Sequence, residues 1–545
     1  MNQASTDTPS DTDLFAQLAG VGDYQPTAAR WDFTAVLTLR GETTPAGSNT
    51  RTDTADADIT VDRDPTTGRP RIRFTTLAGL LAHHAADRLT GYAPTPHTPR
   101  GTRVDALFGD LDNATTITGD DITLQLPAGA PLLTRRRNRG NPATGTADTG
   151  ALWDNEVLPV GTTGRIVIRV AVPTADDPDT QDNLEADLLT ITVAALTGLT
   201  GTTGGIRLGN HTRTGKGTLT TDRWAARRVD PRTPDGWATL HRPTRAEYLT
   251  ELADLPTHRD PAAAVRTAHP TLALPDQVDQ RSRDELRLTL AIGVPTGDGR
   301  VAAGLLRVGD APPPSVYQTE PADTGAPDVT TAHRTRPEPT DTDQVAWVPV
   351  TGGPGLLRLL KQSARRILTA LADTAPHDGE NAEPGEPAPA ERAAAILAHW
   401  FGGEPHHPTP AAISTDDPPL TGGGPLTRGR VTIDGLFGDA VNGRLFTERV
   451  HAGGHSTLTL TIRDPDPVIR GLLAHITADL ATWSPIPLGG GGHGHITCTA
   501  ATLTCHTPDT HTSIDLLDTD TTDTISPWHQ ALLAATGHPH HRDQP

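Results

Sequence analysis

Apolar and polar positions alternate over Trp31–Arg40 and again over Glu285–Val294, the period-two pattern of a strand with one buried face. Arg165–Val170 and Thr457–Ile462 alternate in the same way. After each of the later runs the period lengthens. Leu184, Leu188, Ile191 and Ala195 fall at i, i+4, i+7 and i+11, as do Ile469, Leu473, Ile476 and Leu480, so two amphipathic helices are predicted. Asp and Pro residues ahead of both supply N-terminal caps. Ile72–Leu89 and Val345–Leu371 each predict an extended segment that runs into a helix.

These elements recur in one order. Ala147-Asp-Thr-Gly-Ala-Leu-Trp-Asp-Asn-Glu-Val157 aligns without gaps on Ala440-Val-Asn-Gly-Arg-Leu-Phe-Thr-Glu-Arg-Val450, and a glycine-rich stretch closes each unit, Gly204–Gly217 and Leu488–His495. The sequence of strand, loop, helix, strands with a long hairpin, helix, glycine loop and strand is close to βαββαβ. The expected fold is α+β: tandem ferredoxin-like or RNA-recognition-type domains carrying hairpin insertions and glycine-rich loops. The first domain is placed at 28–245 and the second at 281–510, with an acidic, Pro-rich insertion at about 373–391. Residues 1–27 read as an acidic N-terminal tail, 246–280 as a partly helical linker and 511–545 as a C-terminal tail.

Composition narrows the partners. Only 3% of the 545 residues are aromatic and Gly and Pro are abundant, so loops are extensive; the net charge of −20 counts against generic nucleic-acid binding. The acidic residues concentrate in Thr/Asp/Pro-rich segments such as Ser5–Asp13, however, while Arg135-Arg136-Arg137-Asn138-Arg139 and Arg358–Arg366 are basic clusters. Lysine occurs only as Lys216 and Lys361. A local stripe of this kind can still bind phosphates. No apolar run reaches membrane-spanning length, the N-terminus lacks a basic leader, and Cys498 and Cys505 make no disulfide framework. The expectation is a cytoplasmic protein with no membrane partner.

The glycine loops are the first candidate site. Glycine lets backbone N–H groups approach phosphate oxygens. In the first loop Gly204, Gly205, Gly209, Gly215 and Gly217 interleave with Arg207, His211, Arg213 and Lys216; in the second, Gly489, Gly490 and Gly491 precede His493. Arg135, Arg136, Arg137 and Arg139 lie on a predicted hairpin, and Arg358 and Lys361 stand on one face of a predicted helix. All are candidate RNA contacts, with a solvated charge run as the plain alternative. His493, His495, Cys498, Cys505 and His506 are of zinc-ligand type, but their spacing fits no common finger.

Several segments resemble the RAMP superfamily, and in particular the backbone subunits of type III CRISPR effector complexes. Asp58-Ile-Thr-Val-Asp-Arg-Asp-Pro-Thr-Thr-Gly-Arg-Pro-Arg-Ile72 resembles the family's segment before its first helix, and Gly204–Gly217 with Trp224 its C-terminal glycine-rich loop. Arg137-Asn-Arg139 through Val157-Leu-Pro-Val-Gly161 is similar to the thumb hairpin, with Ala106-Leu-Phe-Gly109 and Ala398-His-Trp-Phe-Gly402 as the short element ahead of it. The resemblance implies binding of CRISPR RNA, pairing with complementary target RNA and association with other type III effector subunits. It further implies thumbs that wedge between bases, and target cleavage at an Asp that works with Mg2+ or another divalent cation. Carried onto this sequence, that residue is Asp58, with Asp328 as its counterpart in the second domain. Ala78 and Ala82 depart from the basic residues the family often carries near the first helix.

Chemistry makes the Asp58 assignment reasonable: a carboxylate can serve as base or metal anchor in attack by the RNA 2′-hydroxyl. A solvated loop aspartate among Asp53, Asp56, Asp62 and Asp64 is the competing reading. The alternatives for the whole chain are a non-catalytic RNA-binding scaffold, an endoribonuclease that processes precursor CRISPR RNA, and an unrelated duplicated adhesin-like protein.

Overall fold

A computed structural model describes residues 27–45, 57–92, 101–109, 114–128, 130–140, 147–201, 205–210, 212–241, 244–275, 279–293, 305–306, 309–310, 330–331, 333–337, 345–375, 387–403, 409–481, 486–488, 495–507 and 510–538. In its first half the elements run β1 (Thr27–Leu39), β2 (Arg71–Ile72), α1 (Phe74–Thr90), α2 (Thr102–Phe108), β3 (Ile117–Gly119), β4 (Ile122–Gln125), β5 (Leu133–Gly140), β6 (Ala147–Val157), β7 (Thr163–Pro173), α3 (Pro178–Leu196), β8 (Leu219–Val229), α4 (Pro234–Leu240), α5 (Arg245–Ala253) and α6 (Pro261–Ala268). The alternation of β1 turns Trp31, Phe33, Ala35, Leu37 and Leu39 to one face, where they are buried with Leu77 and Leu81 of α1 and Leu188 and Ile191 of α3. Full burial of each such leucine or isoleucine contributes about 1.5–3 kcal/mol. The sheet order is β2–β4–β7–β1–β8 with β3 also on β7, and β1 is antiparallel to both neighbours.

The second half repeats the plan: β9 (Glu285–Gly293), the short β10 (Leu305–Leu306), β11 (Gly309–Asp310) and β12 (Thr330–Thr331), then β13 (His333–Pro337), β14 (Val345–Pro349), α7 (Gly353–Thr374), α8 (Pro389–Phe401), β15 (Ile413–Thr415), β16 (Gly424–Ile433), β17 (Ala440–Ala452), β18 (His455–Arg463), α9 (Pro467–Leu480), β19 (Ile486–Pro487), β20 (His495–His506), β21 (His511–Asp515) and α10 (Thr522–Ala535). Its sheet order is β15–β18–β9–β20–β19, with β21 on β20. Strands β1, β7 and β8 thus correspond to β9, β18 and β20, and helices α3 and α9 occupy equivalent places. The class is α+β, helices against antiparallel sheets. The caps read from sequence are present: Thr180 N donates to Asp177 Oδ1 (3.0 Å) and Ile469 N to Asp466 Oδ1 (2.8 Å), each followed by Pro at the first helical position. Both apolar-Phe-Gly elements end a helix on a glycine of positive φ, Gly109 (75°) and Gly402 (89°), which lets the chain turn away at once.

Two segments differ from expectation. Residues 246–280 are partly helical as expected, but α5 and α6 pack on the first half instead of only linking the two, burying Leu252, Ala264 and Val265, and Trp224 and His258 exchange backbone hydrogen bonds of 2.8 and 2.7 Å. Residues 511–538 are not a tail: β21 extends the second sheet, and α10 lies on α9 with Leu532 fully buried. The insertion at 373–391 lies largely outside the described residues. No described helix is long and apolar enough to cross a membrane.

Candidate nucleic-acid interface

Asp58 sits at the root of the β5–β6 hairpin. Its N–H and that of Ile59 donate to Asp154 O (2.9 and 3.1 Å), and Glu156 N donates to Ile59 O (2.8 Å), so the segment lies on β6 as a short parallel strand. Asp58 Oδ2 accepts the Asp154 N–H at 2.9 Å. Glu156 fixes the next turn, taking Val61 N (2.9 Å) and Arg63 Nη2 (2.7 Å). The carboxylate of Asp58 itself is exposed, and no cation pairs with it among the described residues. Its neighbours differ. Burial opposes ionisation of Asp62, but hydrogen bonds from Arg73 and Arg71 hold its carboxyl below the usual range. Asp64 closes a turn through the N–H groups of Thr67 and Thr66. Asp53 and Asp56 lie outside the described residues, as does Asp328.

The first glycine loop is folded inward. Gly209 (φ 82°) and Gly217 (φ 74°) let it lie against residues 42–44, with Asn210 N on Thr44 O (3.0 Å) and Gly217 N on Glu42 O (3.1 Å). A side chain at either position would run into backbone. Lys216 is consequently buried, 3.8 Å from Glu42, rather than displayed to a phosphate. Arg135 is buried as well: Nε and Nη2 both donate to Glu42, and the guanidinium stacks 5.2 Å over Trp347. Of the loop's cations Arg207 and Arg213 are exposed. Gly204, His211, Gly489, Gly490, Gly491 and His493, and the side chains of Arg136, Arg137 and Arg139, lie outside what is described.

Glu42 is the hub of the seam between the halves. It also accepts Thr335 N (3.0 Å) of β13, and Arg334 lies 3.8 Å away while donating to Asp417 Oδ2 (2.7 Å). Burial would raise the Glu42 carboxyl, but Arg135, Arg334 and Lys216 together drive it far below the usual range. Asp417 is likewise held low against burial, by Arg334 and by the Gly353 N–H at the start of α7. A cavity of about 340 Å³ opens here, between Gly215 and Lys216 of the loop and Asp416, Asp417 and Thr457 of the second half.

The second hairpin, β16–β17, carries a feature that pattern reading missed. Asp434 Oδ1 accepts the N–H groups of Leu436 and Phe437 (2.9 Å each) and shapes a tip on which those side chains are 83% and 78% exposed. The signal was the run Asp434-Gly-Leu-Phe-Gly-Asp439. At the root, Glu448 is buried and takes Arg428 (2.6 Å) and Arg430 (3.5 Å). On α7, Lys361 donates to Gly402 O (2.7 Å) and so closes the end of α8, and Arg358 is half-buried. Cys498 is buried on β20, and no group of three His, Cys, Asp or Glu side chains suited to a metal occurs among the described residues.

Residues 49–220, which include the Asp58 segment and the glycine loop, match the model of the RAMP superfamily. A structure search returns a chain of the type III-B Cmr-beta complex bound to cognate target RNA, at 11% identity and a TM-score of 0.26, covering 39% of this chain and 64% of that one. No curated protein matches.

Proposed function

We propose that the chain is an RNA-binding backbone subunit of a type III CRISPR effector, two ferredoxin-like RAMP units in one polypeptide, and that Asp58 supports cleavage of guide-paired target RNA. The match of 49–220 to the RAMP superfamily supports the class. The observation that carries the cleavage reading is the exposed carboxylate of Asp58, without a cation partner among the described residues and fixed by Asp154 N at 2.9 Å at the root of the β5–β6 hairpin. A hairpin that parts the bases leaves the flanking nucleotide unstacked, and its 2′-hydroxyl can then swing in line with the adjacent phosphorus. The Asp58 carboxylate takes the 2′-hydroxyl proton as the oxygen attacks; the bond to the 5′-oxygen breaks and that oxygen takes a proton from solvent water, giving a 2′,3′-cyclic phosphate and a 5′-hydroxyl. Holding Asp58 rigidly on β6 lowers the cost of reaching that geometry. Asp58 Oδ2 accepts from the backbone, which leaves Oδ1 as the atom that would hold a hard divalent cation together with the substrate phosphate; in that role Asp58 would anchor the ion in place of taking the proton itself. Such an ion would supply charge relief at the phosphorane.

At the second hairpin, Leu436 and Phe437 are suited to slide between bases, where stacking on an aromatic is worth about 1–3 kcal/mol per base. Exposed Arg207 and Arg213 are suited to backbone phosphates, and RNA affinity should fall steeply with salt. The scaffold reading rests on a separate observation: three of the cations that looked free, Lys216, Arg135 and Lys361, are consumed inside the protein. Labelled target RNA given to guide-loaded wild type and Asp58→Asn, with magnesium, distinguishes the two. Cleavage lowered by about 10²–10⁴ with binding intact supports catalysis at Asp58, and equal cleavage or none in either protein leaves the scaffold.

A further inference from the structure

The two halves share an element not evident from the larger repeats. Ile117-Thr-Gly-Asp-Asp121 at β3 matches Ile413-Ser-Thr-Asp-Asp417 at β15, and the strands sit in the same register, Ile117 opposite Val170 of β7 and Ile413 opposite Ile462 of β18. The second aspartate does the same work in both. Asp121 accepts Phe74 N at the start of α1 (2.9 Å) and Arg71 (3.1 Å); Asp417 accepts Gly353 N at the start of α7 (2.8 Å) and Arg334 (2.7 Å).

The first aspartate marks what differs. Asp416 lies against the glycine loop of the other half: a side chain on Gly215 would meet its Cα at 3.2 Å. Thr457, on the sheet face turned away from the helices, borders the same contact. At the equivalent place in the first half stands α5. Arg245 pairs with Asp120 at 3.0 Å, and Arg165, the register counterpart of Thr457, donates to Leu249 O at 3.0 Å. Tyr248 lies among Arg30, Arg169 and Arg227, whose guanidinium carbons are 5.7, 5.5 and 5.4 Å from its ring centre, and accepts Arg30 Nη2 at 3.1 Å. Arg227 ties Glu251 (3.1 Å) to the fully buried Asp32 (3.0 Å).

We infer that α5 stands in for a docked glycine loop: it covers the surface of the first half on which a second copy of this chain, second half leading, would otherwise seat, and so ends head-to-tail stacking there. The pattern for that seating is the chain's own seam, in which one unit's loop meets the next unit's Asp-Asp element. The inference rests on this geometry and is independent of the cleavage reading.

The full-length chain is examined by sedimentation velocity over a range of concentrations, with hydrogen exchange read on 245–253. Wild type should sediment as one monomeric species with α5 protected. The double variant Arg245→Glu, Tyr248→Ala should lose that protection by about tenfold or more and form dimers as concentration rises, and adding Asp120→Lys should abolish the dimers. Arg245→Glu alone, at a side chain 65% exposed, reads the same outcome, in smaller degree, if the double variant does not fold. Concentration-dependent stacking of wild type with α5 protected would overturn the inference. So would an uncovered α5 with no association, or a double variant in which α5 stays protected.

Discussion

The two halves present the same sheet, helices and hairpin, yet they treat the non-helical sheet face differently. In the first half that face carries Arg30, Asp32, Arg165 and Arg169, roofed by α5 of the same unit. In the second, Glu285, Arg287, Thr457 and Thr461 occupy the corresponding positions, with Thr289 and Thr459 beside them; Arg287 pairs with Glu285 of its own strand at 2.9 Å, and the glycine loop of the first half closes one end of the face. One fold has thus been given an ionic, self-sealed face in one copy and, in the other, a largely threonine face joined to its neighbour. The lesson is that in a tandem repeat the charged side chains report which surfaces are already spoken for, and an arginine run is no guide to RNA until its partners are known.

The sharpest way to break the comparison is at the seam, which the first half's outer face does not share. Glu42→Ala leaves Arg135, Lys216 and Arg334 buried with Asp417 as the remaining carboxylate, and should cost about 3–5 kcal/mol in denaturant unfolding. Next, Asp417→Asn should destabilise more than Asp121→Asn, about 1–3 against about 0.5–1 kcal/mol. The two do the same job, but Asp417 is buried and the side chain of Asp121 is 44% exposed. A thermal melt of each variant checks the ranking.

Acid should weaken the seam. Glu42 and Asp417 are both held below their ordinary values. Their contribution is therefore fully present above the unfolded carboxylate range, about pH 4, and is lost as pH falls through the lower folded values. Melting temperature against pH should fall more steeply below pH 5 in wild type than in Glu42→Gln. Smallest in stability is the exposed tip: Leu436→Ser with Phe437→Ser should move unfolding by no more than about 0.5 kcal/mol. The same change should weaken binding of guide–target duplex about tenfold, as loss of one stacking contact would.

Much of this frame was legible in the sequence because its causes are local. Alternation set β1, β7, β9 and β18, and Asp-Pro pairs began α3 and α9. The glycine loop was legible as a loop, but not its burial: what neutralises Lys216, Arg135 and the equally buried Arg334 is Glu42 together with Asp417, contributed from segments far apart in the chain. No local pattern reveals that a cation has such partners. Helix α10 was missed because Thr522-Asp-Thr-Ile-Ser-Pro527 has the composition of a tail, and its helix is held by Trp528 and Leu532 against α9. Asp58 was singled out by resemblance alone; its separation from Asp62 and Asp64, which have partners in Arg71, Arg73 and the Thr67 turn, required the structure.

The most direct test of the account is the RNA itself. The chain is purified with the products of its neighbouring genes, and the RNA that accompanies it is sequenced. The account predicts guides that share a common repeat-derived 5′ sequence and are released by high salt; no RNA, or fragments with no common sequence, would contradict it.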